Sequence, residues 1–161
     1  MFVVKWLLWA LVALGLALLL AGRLGLLQGR EPTLGVRDGR LKPPSKTPNS
    51  VTSQAALHPD HPMRARAEIA PLPLSGSGPE TIARIQAIVE AMSGSRVVKR
   101  EPDYLYVQFT SRLLRFVDDT EFWFDPAAQV VQVRSSSRIG HGDRGVNRAR
   151  VEANRAQLAP R

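Results

Sequence analysis

Residues 6–22, WLLWALVALGLALLLAG, hold no charged side chain, and Lys5 and Arg23 bracket them. As a helix this run reaches about 25 Å, just short of the roughly 30 Å hydrocarbon core of a bilayer. Leu24, Leu26 and Leu27 prolong the apolar stretch beyond Arg23. The long stems of Lys5 and Arg23 let their charges reach headgroups. Trp6 and Trp9 suit one membrane interface. The run predicts a transmembrane helix within a membrane anchor, or uncleaved signal, over residues 1–27. Cleavage as a signal peptide would want a small residue before Ala21, where this chain has Leu19.

The flanking charges conflict over orientation. Only Lys5 and the amine precede the run, whereas Arg23, Arg30, Arg37, Arg40 and Lys42 come after it. Positive charge alone would keep the domain in the cytoplasm. A single N-terminal span with so short a head behaves more often as an uncleaved export signal, so the expectation is a single-pass protein with its domain exported.

Of the 161 residues, those after the anchor suffice for one domain. Residues 28–47 are rich in Pro and Gly and predict an extended, partly polyproline-like linker. The domain is then expected over 48–161. The chain has no Cys, which excludes disulfides, thiolate nucleophiles and Cys-ligated zinc.

Ser77 and Glu80 have capping-box spacing, Pro79 belongs in a first helical turn, and Gly94 can end the helix. Between them Ile82, Ile85, Val89 and Met92 form one apolar stripe. Upstream, ARAEIAPLPL alternates around Ile69 and suggests a short strand limited by Pro71 and Pro73. Downstream, strands are expected at 95–101, 103–116, 120–125 and 129–138, with breaks at Pro102-Asp103, Asp118-Asp119 and Asp125-Pro126. Leu105, Val107 and Phe109 share one strand face, and Tyr104, Tyr106 and Gln108 the other. Val131 and Val133 likewise oppose Gln132 and Arg134. Residues 145–158 suggest an Arg-rich helix with Val146, Ala149, Ala153 and Ala156 on a thin apolar side and Asp143 as its cap. The expected fold is α+β: a small antiparallel β-meander packed with one amphipathic helix and a C-terminal helix, preceded by the transmembrane helix.

PNSVTSQA, FTSRLLRFVDDTEFWFD and RSSSRIGHGDRGVNRARVE, in this order and spacing, resemble the domain-of-unknown-function 1499 family. The resemblance runs over roughly residues 34–158. It implies a domain boundary and association with a bacterial envelope, hence the inner membrane with the domain on the periplasmic side. It implies no activity. Members often carry Cys where this chain has Ser50.

The segment FVDDTEFWFD carries four acids in ten residues. Asp118, Asp119 and Glu121 are candidate divalent-metal ligands, with His58, His61, His141 and Asp143 to complete a site. Against a metal, neighbouring strand residues point to opposite faces, and the His spacing fits no standard ligand pair. A metal-assisted or acid–base hydrolase would use the carboxylates of Asp118, Asp119 and Asp143. Ser135, Ser136 and Ser137 beside His141 lack a Gly-x-Ser-x-Gly elbow, so a nucleophile there has little support. The favoured expectation is a polar network of Arg112, Asp118, Asp119, Arg134, Arg138, Asp143, Asn147 and Arg148. It would lock the turns and last helix to the sheet, or present a pocket for a small anion. Gly140, Gly142 and Gly145 permit close backbone approach near that helix.

Net charge is +8, and residues 134–161 hold seven Arg against Asp143 and Glu152. Such a basic end suits an anionic envelope component or an acidic protein partner. Aromatic and basic residues do not interleave there, which argues against nucleic acid. No metal or other cofactor is expected. The expectation is a membrane-tethered, non-enzymatic binding or interaction module, with the hydrolase as the alternative.

Overall fold

A computed structural model describes residues 2–159. Its centre is a five-stranded antiparallel sheet in the order β1-β5-β4-β3-β2. The strands are β1 (Ser50–Thr52), β2 (Ser95–Arg100), β3 (Tyr104–Thr110), β4 (Val117–Asp125) and β5 (Val130–Ser137). The helices are α1 (Phe2–Arg23), α2 (Arg64–Ala67), α3 (Gly78–Glu90) and α4 (Val146–Leu158). The fold is α+β, as the strand alternation and helical stripe predicted.

Period-two alternation sorts the sheet into two faces. On the inner face Leu105, Val107, Phe109, Phe122, Val131 and Val133 meet Ile82, Ile85 and Val89 of α3, and Val151 and Leu158 of α4, in one buried core. The helix α3 starts where its capping box requires: the Ser77 N–H donates to the Glu80 carboxylate at 2.7 Å and the Ser77 hydroxyl accepts from the Glu80 N–H at 3.4 Å. Gly78 lies so close to the Phe124 ring that no Cβ would fit.

Four local features differ from the sequence expectation. Asp118 and Asp119 do not make a turn. They lie inside β4, and the reversal occurs at residues 111–116, where Arg115 takes a positive φ of 61°. The stretch around Ile69 is not a strand. It comes after α2 and touches the sheet through isolated bridges, Glu68 to Thr52 and Leu72 to Val131. The helix α4 turns its predicted alanine side outward and buries Asn147, Val151, Asn154 and Leu158. Val151 and Leu158 remove more apolar area from water than alanines would.

The fourth difference is the Pro-rich segment. It is extended, but residues 34–43 lie on the outer face of the sheet. Leu41 is buried among Tyr104, Tyr106 and Trp123, with Leu34 and Val36 packed beside it. Arg37 and Arg40 exchange backbone hydrogen bonds of 2.9 and 3.0 Å across Asp38-Gly39. Both turn residues have positive φ, 50° and 68°, the signature of a tight primed turn. The Gln54 side chain accepts from Leu41 N–H at 2.7 Å and donates to the Gly39 carbonyl at 3.0 Å, pinning this strap. Both sheet faces are therefore covered.

The helix α1 is 22 residues long and apolar enough to cross a membrane. At about 33 Å it matches a bilayer core. Its side chains are exposed except at the C-terminal end, where Gly22 is buried against Leu114.

If α4 docks through Val151 and Leu158, Leu158→Ala should lower stability by about 2–5 kcal/mol. Ala156→Ser should stay within about 0.5 kcal/mol. Thermal melting of the full chain in detergent measures both, and equal effects would place the helix the other way round.

Candidate functional site

The pleat of β4 sends Asp118 and Asp119 to opposite sides of the sheet, where each meets a different arginine. On the outer face, Arg138 grips Asp119 with two hydrogen bonds, Nε to Oδ2 at 2.8 Å and a terminal nitrogen to Oδ1 at 2.8 Å. The Tyr106 hydroxyl adds a third donor to Oδ1 at 2.5 Å. Gln108 in turn donates to that hydroxyl at 2.8 Å, and Arg96 donates to Gln108 at 2.5 Å. The Asp119 and Arg138 side chains are 2 % and 6 % exposed, so this fork-to-fork pair is almost dry. Burial and the bond to Asp119 push the Tyr106 phenol up to about 12, so it stays a donor near neutrality.

One pleat further, Glu121 is wholly buried. Its Oε1 accepts from the Tyr104 hydroxyl at 2.7 Å and from Gly35 N–H of the strap at 2.9 Å. Its Oε2 has no hydrogen-bond partner and stands 3.9 Å from a terminal nitrogen of Arg134. That separation is an ion-pair contact and too long for a hydrogen bond. Burial raises the Glu121 carboxyl above its ordinary value, and its tyrosine, arginine and backbone partners only partly offset this.

Arg134 is equally enclosed, with a side chain 7 % exposed. Its Nε donates to the Pro43 carbonyl at 3.1 Å. Among the described residues its terminal nitrogens find no acceptor at hydrogen-bond distance. Arg134, Arg138, Asp119 and Ser136 line a cavity of about 140 Å³ that Arg30 and Pro32 close from the other side. A cavity this size suits a small oxyanion and little more.

The inner face carries a second cluster. Arg150 donates to Asp118 at 2.7 Å and to the Asn147 side chain at 2.9 Å, with its guanidinium 4.3 Å from the centre of the Phe109 ring. Asn147 accepts from Ser135 at 2.6 Å and donates to the Asn49 carbonyl at 3.2 Å. Thr120 and Ser135 share a hydroxyl contact of 2.7 Å. Asp143 receives the Asn147 N–H at 2.9 Å and the Gly145 N–H at 3.0 Å. Burial alone would raise the Asp143 carboxyl, but these bonds outweigh it and hold the carboxyl below its usual value. This cluster fastens α4 to β4, β5 and the start of β1.

The eight residues expected to form one network therefore divide. Asp119, Arg134 and Arg138 share the outer face, and Asp118, Asp143 and Asn147 the inner. Arg112 is exposed on the 111–116 turn and joins neither. Arg148 binds the backbone carbonyls of Arg66 and Glu68 at 2.9 and 2.7 Å, away from both clusters. The carboxylates of Asp118, Asp119 and Asp143 do not converge on one cleft. No group of three His, Asp or Glu among the described residues could hold a metal ion. Sequence reasoning overlooked Arg150, Tyr104 and Tyr106, and it left Glu121 outside the network. The signal for the tyrosines was their alternation with core residues in β3. Glu121 and Arg134 become partners only through the β4–β5 register, which sets them opposite each other.

The family model described as "Protein of unknown function (DUF1499)" matches residues 40–158. The match covers most of the chain and all of the sheet, α3 and α4, so the chain belongs to this family. No curated protein and no solved structure matches it.

Breaking the dry outer pair by Asp119→Asn should cost about 3–5 kcal/mol. Asp118→Asn, whose pair is more exposed at 10 % and 14 %, should cost less. Glu121 acts with the opposite pH sign to an ordinary salt-bridged acid. Its contribution is complete below the unfolded value of about 4.3 and is lost as pH rises from there through the raised folded value. The melting temperature of Glu121→Gln minus that of the unmodified chain should therefore grow as pH climbs from about 4. A flat difference would mean that Glu121 ionises at no cost.

Proposed function

We propose that this DUF1499 member is a membrane-tethered, non-enzymatic binding module that takes an anionic group into the cavity between Arg30, Arg134 and Arg138. The observation that carries the reading is Arg134. A guanidinium almost removed from water usually fills its donors, yet this one leaves its terminal N–H groups without an acceptor beside an open cavity. Asp119 already satisfies Arg138, and Glu121 faces Arg134 only at 3.9 Å. A phosphate or carboxylate oxygen entering the cavity would receive the free donors, with Ser136 and the exposed Arg30 beside it. Arg suits this role because its planar fork matches oxyanion geometry.

The tether is α1, placed in a bacterial inner membrane with the domain on the periplasmic side. The partner is an anionic envelope component or an acidic group on another protein. The reading involves no nucleic acid, no cofactor and no chemical step.

The test is melting of the full chain in detergent with inorganic phosphate, acetate or chloride at matched ionic strength. An anion at about a hundred times its dissociation constant should add about 2.7 kcal/mol, a rise of several degrees. Arg30→Ala should leave the melting temperature without ligand unchanged and remove most of that rise. Equal behaviour of all three anions, or a rise indifferent to Arg30, would overturn the cavity as the binding site.

A further inference from the structure

One end of the sheet gathers the 111–116 turn, the loop after β5 and the last turn of α1. The Val117 carbonyl accepts the Arg138 N–H at 3.0 Å, which sets Phe116 close to Ile139. A Cβ placed on Gly22 would come within 2.6 Å of the Leu114 carbonyl oxygen, so the turn rests on the end of the apolar helix. Beyond residue 28, the large apolar side chains most exposed among the described residues are Leu57, Val98, Leu113, Phe116, Ile139 and Val146. Three of these six, Leu113, Phe116 and Ile139, belong to this end of the sheet. Leu113 is 69 % exposed at the tip of the turn, and Phe116 is 38 % exposed.

Exposed charge at this end is mostly basic. Arg112, Arg115 and Arg144 are exposed. Apart from the exposed Glu31, the nearby acids are occupied: Asp118 by Arg150, Asp119 by Arg138, and Asp143 by the start of α4. Apolar tips rimmed by free arginines match a bilayer interface, where the apolar side chain enters the acyl boundary and the cation meets headgroup phosphate. A second protein could also cover apolar tips. The contact with α1 decides for lipid, because Leu114 stands level with Gly22 and Arg23, where the apolar helix ends.

We infer that the Ser111–Phe116 turn is a second membrane contact, with Leu113 and Phe116 at the acyl boundary of an anionic leaflet and Arg112 and Arg115 on its headgroups. The inference rests on α1 lying in the membrane. It makes the domain lie against the bilayer on a defined side, with the end that carries the anion cavity facing the lipid.

The chain has no Cys, so single-cysteine variants take one label each. Leu113→Cys, Leu14→Cys in α1 and Ala128→Cys in the opposite β4–β5 turn would carry an environment-sensitive fluorophore. The full chain would be reconstituted in phosphatidylglycerol-containing vesicles with doxyl-labelled lipids. The expected result is quenching at position 113 by shallow doxyl groups, quenching at 14 by deep ones, and none at 128. Quenching at 14 with position 113 as silent as 128 would overturn the second contact and leave the anchor standing. No quenching at 14 would overturn the anchor and the inference with it. A blue shift at 113 without doxyl quenching would assign the patch to protein contact and also overturn it. Equal quenching at 113 in purely zwitterionic vesicles would overturn the part assigned to the arginines.

Discussion

The alternation along β4 decides what each layer of this domain can be. Asp118, Thr120, Phe122 and Phe124 face the helices, and Asp119, Glu121 and Trp123 face the strap. Acidic and aromatic residues thus serve both faces of a strand at the centre of the sheet. A slip of one residue would exchange the two sets. Asp119 would then face the core below α3 and α4, and Phe122 would replace Glu121 beneath Gly35 and Arg134. Each charged pair therefore works as a register pin. A buried ion pair is weak evidence of net stability, but a misplaced one is severely penalised. Specification of one alignment is the role that this arrangement best supports.

Much of the fold was legible because it obeys short-range rules. The capping box at Ser77 and Glu80, the stripe from Ile82 to Val89, and the alternation in β3 and β5 each depend on residues a few positions apart. The features that escaped depend on partners far along the chain. Asp118-Asp119 has the composition of a turn, yet Arg150 and Arg138 hold both residues in strand geometry. The true reversal, SRLLRF, contains no Gly, Pro, Asn or Asp, and Arg115 adopts the left-handed conformation without the usual residue to signal it. In α4 the asparagines have the composition of a solvated surface. Asn147 is buried because Ser135, Ser137 and the Asn49 carbonyl satisfy it, while Asn154 donates to the Arg150 carbonyl and leaves its own side-chain oxygen unpartnered. The candidate site was legible as a set of residue types. Its division into two clusters was not, because that division is a property of the sheet.

The two clusters also differ in kind. The inner one closes on itself: Arg150, Asp118, Asn147, Ser135 and Thr120 find one another, and its arginine stacks on Phe109. The outer one stays incomplete, with one orphan oxygen on Glu121 and terminal nitrogens of Arg134 that meet no acceptor at hydrogen-bond distance among the described residues. Donors left without a protein acceptor on the wall of an open cavity mark where a ligand can be accommodated without rearranging the scaffold.

The strap has a consequence in time. Leu34, Val36 and Leu41 rest on Tyr104, Tyr106 and Trp123, so they precede their partners by roughly sixty to ninety residues. At synthesis rates of about 5–20 residues per second they wait several seconds for a surface to cover. The cavity wall at Arg30 waits longer, until Arg134 and Arg138 have emerged. Contacts between such distant segments form slowly. Maturation of this domain therefore ends with a segment made before every strand closing over the latest-made strand.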